Sequence, residues 1–337
     1  MVPALASRLV RMYFSAPKMI FQKSFMLLFT AILFSACSHA TVSQPPAEPA
    51  PAPVASSDVY RFKVGALEAV ALRDGDIVMP NDGKTIWPGQ SPTTVGALLA
   101  QAGLPTHAIE FSIQPLLVRD GERTLLFDTG AGNASFARAG RLPTSLRAAG
   151  LTPLAVTDVF VTHAHPDHVG GLVTSSGTLA FPNARIHMAA AEWASLKGDA
   201  KHEELVAVIA PKVVTFEPDA SILPNVSAVS VRGHTPGHSA YRITSNGEQL
   251  LVTGDAAHHS IVSLQRPDWT ISFDLGGRDE ETARATRQAL LQRVADEHVR
   301  LYVEHFPFPG VGHIQRSVDG FVWVPESAGP ARPAGAR

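Results

Sequence analysis

The stretch VFVTHAHPDHVGG, Val159 to Gly171, holds three histidines and one aspartate within six positions, directly after a run of β-forming residues. We expect residues 160–162 to end a buried strand, so that His163 begins the loop at the strand's carboxyl end. Functional sites on layered α/β folds tend to lie at such ends. Gly170 and Gly171 then allow the backbone to fold closely around the turn. The stretch therefore predicts a functional site on an α/β fold.

Four side chains of this turn, His163, His165, Asp167 and His168, are of the types that bind metal ions. His163 and His165 stand two positions apart and can point the same way, and the other two follow on the returning turn. Neutral imidazoles and a carboxylate suit zinc and similar divalent ions. Six residues cannot close a metal site by themselves, so we expect further ligands from distant parts of the chain.

The composition indicates a globular protein, whereas the expectation of a small-molecule substrate follows from the motifs. The chain has 337 residues, of which 45% are hydrophobic, and this is enough for one large domain with a sizeable core. A net charge of -2 and the lack of any run rich in lysine and arginine argue against nucleic acid as a partner. Homodimerisation is left open at this stage.

The first 40 residues are predicted to be an export signal. Lys18 and Lys23 precede an apolar run, residues 26–36, which has the length of a signal-peptide core and is too short for a membrane span. The stretch LFSAC resembles a bacterial lipoprotein box, in which Cys37 would be lipidated and would anchor a periplasmic protein to a membrane. A competing cleavage site after Ala40 would release a soluble periplasmic protein, so both routes stay open.

The rest of the chain is predicted to contain one folded domain. Residues 41–57 are rich in proline and alanine and should form an extended linker. The folded domain is expected at residues 58–325, followed by a flexible tail at 326–337. Within the domain, strands alternate with helices, and hairpins are expected around Asp120-Gly121 and Asn246-Gly247. A helix over Asp279–His298 is expected to be structural, without a chemical role.

Four motifs together resemble the metallo-β-lactamase superfamily. HAHPDH matches the HxHxDH signature, and three further pieces follow in the family's order: GHTPGHS (Gly233 to Ser239), TGD (Thr253 to Asp255) and EHFPFPGVGH (Glu304 to His313). The resemblance covers the chain from about Tyr60 to Pro325. Within the superfamily it is strongest to methyl parathion hydrolase and more distant to the N-acyl-homoserine lactonases. It implies an α/β fold of the αββα sandwich type, with two central mixed sheets flanked by helices.

The resemblance also implies a centre of two divalent metal ions, with zinc expected. Its ligands would be His163, His165 and His234 for one ion, Asp167, His168 and His305 for the other, and Asp255 as the bridge. Two ions about 3.5–4 Å apart can share a hydroxide and stabilise the attacked and leaving oxygens. Asp167, Asp255 and His258 are the expected catalytic residues. Related lactonases often carry a tyrosine at the position of His258. We expect His258 to donate a hydrogen bond to the leaving group.

Further residues near the motifs have two readings each. His238, four positions after His234, either competes with it as a metal ligand or, as we expect, orients a ligand through a hydrogen bond. Asp128 either lies near the centre or forms a turn. Five aromatic residues either wall an apolar pocket or pack in the core: Trp193, Trp269, Phe273, Phe306 and Phe308. Seven histidines outside the motif positions are expected to have surface or structural roles: His39, His107, His187, His202, His259, His298 and His313.

The predicted function is a metal-dependent hydrolase, in which a bridging hydroxide attacks a lactone or another neutral ester. An organophosphorus hydrolase that acts on phosphotriesters is the alternative within the same class. An iron-dependent oxygenase of the sulfur dioxygenase type is the alternative from a different class, and a metal-storing protein without catalysis also stays open. The seven-residue ligand set favours two metals and hydrolysis.

Overall fold

The structure of the chain is a computed structural model that describes residues 56–274 and 279–326. The predictions for the export signal, Cys37, most of the linker and the tail after Glu326 lie outside the described residues. The elements below all fall within one unit, Pro49–Arg337. No helix among the described residues is both long enough and apolar enough to cross a membrane.

Two seven-stranded sheets form the centre of the domain. The first contains, in order across the sheet, β1 (Val59–Val64), β2 (Leu67–Leu72), β5 (Leu116–Asp120), β6 (Arg123–Phe127), β7 (Asp158–Phe160), β8 (Arg185–Ala189) and β9 (Val213–Phe216). The strands from β6 to β9 are parallel and the other pairs are antiparallel, so the sheet is mixed. A separate two-stranded ribbon consists of β3 (Gly75–Pro80) and β4 (Ala108–Ile113).

The second sheet is also mixed. It contains, in order, β10 (Ser221–Leu223), β11 (Val226–Ser230), β12 (Ser239–Ser245), β13 (Glu248–Val252), β14 (Leu301–Tyr302), β15 (Val311–Ser317) and β16 (Gly320–Pro325). Only β13 and β14 pair in parallel. Seven α-helices accompany the sheets: α1 (Pro92–Gln101), α2 (Leu142–Ala148), α3 (Pro166–Val169), α4 (Ala190–Gly198), α5 (Glu203–Ile209), α6 (Val262–Gln265) and α7 (Glu280–Asp296).

The hydrophobic core is arranged in layers, because alternate residues of a strand face opposite sides of its sheet. Phe127 and Phe160 of the first sheet meet Tyr241 and Tyr302 of the second in the layer between the sheets. The outer face of the first sheet packs against residues of α2, α4 and α5, and that of the second sheet packs against α7. This order of layers is the αββα sandwich that the motifs predicted, and the prediction is confirmed.

The predicted local elements are present with small shifts. The hairpins form between β5 and β6 and between β12 and β13, and α7 begins after its N-cap residue Asp279. The strand before the histidine turn ends at Phe160, two residues earlier than predicted. Val161 still donates its backbone N–H to His187, so the chain stays extended up to the turn.

Candidate metal centre

The motif residues meet at one edge of the sandwich. His163 and His165 follow β7, and the short helix α3 carries Asp167 and His168. In the second sheet, β11, β13 and β14 run in the same direction, since β12 is antiparallel to its two neighbours and β13 is parallel to β14. Their carboxyl ends present the remaining motif residues: His234, Asp255 and His305. Strand direction therefore brings four separate segments to the same place.

A first group of donor atoms comes from three histidines and one carboxylate. His163 Nε2 lies 2.9 Å from His165 Nδ1, and His234 Nε2 lies 3.2 Å from the first atom and 2.9 Å from the second. Asp255 Oδ2 lies 3.6 Å from His163 Nε2 and 3.3 Å from His234 Nε2. Zinc bonds of about 2.0–2.1 Å place tetrahedral ligands about 3.3 Å apart, so the spacing fits one ion.

A second group of donors faces the other oxygen of Asp255. Its Oδ1 lies 3.2 Å from His168 Nε2 and 3.1 Å from His305 Nε2. Asp167 Oδ2 completes this group, 3.4 Å from His305 Nε2 and 3.9 Å from His168 Nε2. The single carboxylate of Asp255 therefore stands between two groups of nitrogen and oxygen donors, with one oxygen toward each.

Unsatisfied polar atoms at this point indicate that a cation belongs there. His168 Nε2 and Asp255 Oδ1 are buried and have no hydrogen-bond partner. Such atoms are rare in folded proteins because their desolvation costs free energy without compensation. A divalent cation would satisfy both atoms at once, so the donor set fits a metal ion.

The charges of the centre support the same conclusion. Burial opposes ionisation of Asp255, but the imidazoles of His305 and His168 outweigh it and hold the pKa of the carboxyl well below its usual range. Burial likewise opposes protonation of His305, yet the Asp255 carboxylate raises the pKa of this imidazole to about 9. A bound divalent ion would supply the positive charge that Asp255 needs and would leave the imidazoles neutral, as metal ligation requires.

Comparison with known proteins identifies the family. The sequence model of the metallo-beta-lactamase superfamily matches residues 110–313, which is more than half of the chain. The chain belongs to this superfamily. An N-acyl homoserine lactonase from a Bacillus species is 26% identical over 225 residues, which are 65% of this chain and 80% of that protein.

Solved structures of this superfamily share the fold over most of their length. AidC, a dizinc quorum-quenching lactonase in complex with a product, is 30% identical with a TM-score of 0.74, over 80% of this chain and 97% of AidC. The hydrolase AbOPH of the beta lactamase superfamily is 26% identical with a TM-score of 0.72, over 81% of this chain and 99% of AbOPH. The protein is therefore a metal-dependent hydrolase with lactonase homologues, as its motifs predicted.

Hydrogen bonds to the outer ring nitrogens fix the histidines of the superfamily motifs. His305 Nδ1 lies 2.7 Å from the carbonyl oxygen of Ser112, and His234 Nδ1 lies 2.7 Å from Asp274 Oδ1. Arg287 donates to the other oxygen of Asp274. Such outer contacts set the tautomer and the orientation of a metal-binding imidazole. The prediction that α7 is structural agrees with its packing on the second sheet, and Arg287 adds a supporting bond to Asp274 that the sequence did not reveal.

Asp128 combines the two readings that its sequence left open. Its backbone adopts a left-handed conformation, φ 55°, directly after β6, which is the conformation of a turn residue. Its carboxylate accepts hydrogen bonds from the backbone N–H and the hydroxyl of Thr162, and lies 2.9 Å from His168 Nδ1. Asp128 therefore orients His168 from behind.

His238 lies behind the centre as expected. Its Nδ1 lies 3.0 Å from the carbonyl oxygen of Val231, and its Nε2 accepts the backbone N–H of Asp255. Burial, together with the nearby His234, lowers the pKa of His238 to about 3, so the ring is neutral and Nε2 is free to accept. His238 thus holds the backbone of Asp255 without being among the donor atoms.

The remaining histidines have structural surroundings where the structure describes them. His187 is buried and lies 2.9 Å from Asp158 at the far end of the sheet. His259 is also buried, and its Nδ1 accepts the backbone N–H groups of Ile261 and Val262. Four others are half-buried or exposed: His107, His202, His298 and His313. His39 lies outside the described residues.

A pocket of about 280 Å³ opens beside the donors. Its walls are mostly apolar, and none of the described residues that line it is a lysine or an arginine. Of the five aromatic residues considered from the sequence, Phe273 lines this pocket. Trp269 and Phe306 pack in the core, and Trp193 packs against the outer face of the first sheet. Phe308 lines a separate pocket. Other apolar residues in the wall of the pocket beside the donors include Ile77, Met79, Phe111 and Phe136.

Proposed function

We propose that this protein is a dinuclear hydrolase of the zinc type that opens lactones or other neutral esters. The observation that carries the proposal is the pair of donor groups that share one carboxylate beside a pocket without basic residues. The similarity to AidC, a dizinc lactonase, supports it. The residues that would hold the ions are His163, His165 and His234 for the first, Asp167, His168 and His305 for the second, and Asp255 for both.

Two bound divalent ions would lower the pKa of a bound water toward about 7 and polarise the attacked oxygen of the substrate. The chain's own residues would position the reactants. Asp255 reaches both donor groups and therefore sets their separation. Asp167 is partly exposed and lines the pocket, and its carboxylate faces His305, so it would hold the second ion on the side where the substrate binds. The apolar walls favour a neutral substrate and exclude water from the carbonyl.

His258 is proposed as the donor to the leaving oxygen. It is buried and lines the pocket, and its Nε2 lies 3.2 Å from Asp255 Oδ2. Both of its ring nitrogens are buried without a hydrogen-bond partner, so a donor is available there for a substrate. Burial lowers the pKa of His258, which favours the neutral imidazole as a hydrogen-bond donor.

A hydrolysis screen with metal analysis of the same sample tests this function. The panel contains lactones, aryl esters, phosphotriesters, β-lactams and thioesters. We expect about two zinc-type ions per chain and the highest kcat/KM on lactones or aryl esters. A sample with one iron per chain and no hydrolysis would contradict the proposal and favour an oxygenase, and metal without any turnover would favour a storage role.

Phosphotriesters are the second candidate substrates. They are neutral like esters, so the pocket without basic residues suits them equally well. The proposed resemblance to methyl parathion hydrolase points in the same direction. The screen separates the two candidates, since preferred hydrolysis of phosphotriesters over lactones would assign the protein to the second class.

Phe136→Ala is expected to raise KM for apolar esters about fivefold without changing kcat. Phe136 lines the pocket and is 45% exposed, so its removal costs less than the roughly 1.5–3 kcal/mol of a fully buried side chain. A loss of binding that is equal in the ground and transition states appears in KM alone. Leu154→Ala, at an exposed apolar residue that does not line the pocket, is the matched control and should leave both constants unchanged.

We also propose that the protein is exported and anchored through lipidated Cys37, with membrane contact only through that lipid. Fractionated cells should show the wild-type protein with the membranes and labelled by a fatty-acid probe. Cys37→Ala should move the protein to the soluble periplasmic fraction or stall its processing. A wild-type protein found only in the soluble periplasm would instead favour cleavage after Ala40.

A further inference from the structure

A buried glutamate on α4 bonds to both histidine loops of the first donor group. Glu192 is 2% exposed, and its Oε1 accepts the backbone N–H of Ala164 at 2.7 Å. Its Oε2 accepts the hydroxyl of Thr235 at 2.7 Å and the backbone N–H of Gly237 at 2.9 Å. A buried carboxylate is stable when several N–H and O–H groups donate to it, as they do here.

The partners of Glu192 are immediate neighbours of the proposed ligands. Ala164 lies between His163 and His165, and Thr235 directly follows His234. These two loops follow strands of different sheets, β7 and β11, and a backbone hydrogen bond from the N–H of Ser239 to the carbonyl oxygen of Thr162 joins their bases, while Glu192 joins the loops themselves. We propose that Glu192 is a positioning residue that fixes the distance between the two loops and so keeps the three histidines of the first donor group close enough to share one ion. This inference rests on the proposed metal centre.

Close packing at Gly237 leaves little room for the loop to move away from α4. A Cβ atom at this position would lie 2.3 Å from the backbone nitrogen of Glu192 and 2.7 Å from its Cβ. The loop therefore packs directly on the first turn of α4. This contact fixes the position of the Glu192 backbone relative to the loop, and the carboxylate extends from there to the N–H of Ala164. The hydrogen bonds of Glu192 go to the loops rather than to the donor atoms, so Glu192 would act on the metal through the histidines.

The charged carboxylate suits this position better than an amide. Each of its oxygens receives at least one hydrogen bond, and the three groups are all donors. A glutamine loses at least one of these bonds. With its NH₂ group toward the N–H of Ala164, the first loop is unbonded, and with its NH₂ group toward the N–H of Gly237, the Thr235 hydroxyl is the remaining partner on the second loop, as an acceptor. Glu192→Gln therefore weakens the link between the loops with almost no change in volume.

Zinc affinity measured for each donor group separately tests the inference. His305→Ala removes a ligand of the second group and leaves the first to be titrated by chelator competition, while His165→Ala does the reverse. Adding Glu192→Gln should weaken zinc binding about 10–100-fold in the His305→Ala background, since loss of a residue that supports a ligand typically costs that much metal affinity. In the His165→Ala background, the same change should weaken zinc binding less than about threefold. Glu204→Gln, at an exposed position of α5, is the control and should change neither value.

A second pair of variants guards against misfolding. Thr235→Val removes one donor and should weaken the first group in the same direction, whereas Thr235→Ser keeps the hydroxyl and should restore it. Equal weakening of both groups, or no weakening of the first, would overturn the positioning role. A His305→Ala protein that binds no zinc would overturn the proposed ligands and this inference together. Wild-type protein with only one ion would contradict the dinuclear proposal but not the role of Glu192. That role would still be decided by comparing zinc affinity with and without Glu192→Gln in the His305→Ala background.

Discussion

Asp255→Ala is expected to lose much of the bound metal and nearly all turnover. Asp255 offers Oδ1 to one donor group and Oδ2 to the other, so one substitution removes a ligand from both proposed ions. The loss of kcat should exceed the roughly 10²–10³-fold that follows removal of a single oxyanion donor. Elemental analysis and kcat on the best substrate of the screen measure the two effects.

The variant should keep its fold, because the backbone N–H of residue 255 still donates to His238 Nε2. His313→Ala, at a half-buried position on β15, is the control and should retain both metals and full activity. Chelator-treated wild-type protein should resemble Asp255→Ala and recover when zinc is added back, while the variant should not recover. Full activity in Asp255→Ala would show that Asp255 is not the shared ligand.

His258→Ala should keep its metals and lose about 10²–10³-fold in kcat on alkyl lactones, the range that follows removal of one hydrogen-bond donor to a developing oxyanion. The tetrahedral adduct of a lactone expels an alkoxide that stays tethered beside the centre, and this oxygen needs a hydrogen bond or a proton. The His258 ring lies 5.6 Å from the Phe273 ring and 6.1 Å from the His305 ring, between centroids, which holds it at the pocket wall.

Aryl esters provide the internal control for His258. Their phenolate leaves without assistance, so the same variant should lose much less activity on them. The measurement is the ratio of kcat on a lactone to kcat on an aryl ester, with metal content determined for each sample. Equal losses on the two substrates, or no loss on either, would count against His258 as the donor to the leaving oxygen.

The candidate centre could be predicted from sequence because its donors occur in short local patterns. His163, His165, Asp167 and His168 lie on one tight turn, and the remaining motif residues directly follow strands. The supporting residues carry no such signal. Asp274 and Arg287 lie 40 and 13 positions from their respective partners, His234 and Asp274, and a buried glutamate on a helix has the same sequence appearance as an exposed one.

The sequence by itself determined the layered α/β fold, with its strands and hairpins, because periodicity and turn residues are local properties of the chain. The seven candidate donors were proposed from the resemblance of four short motifs to the superfamily. Only the tertiary structure decided which side chains line the pocket. Ile77 and Phe111 line it because β3 pairs with β4 across 27 intervening residues, Asn81 to His107, and the ribbon thereby reaches the pocket. Trp269 and Phe306, which are equally apolar, pack in the core instead. Hydrophobic burial is non-directional, so an aromatic residue's type does not reveal which buried surface it will cover.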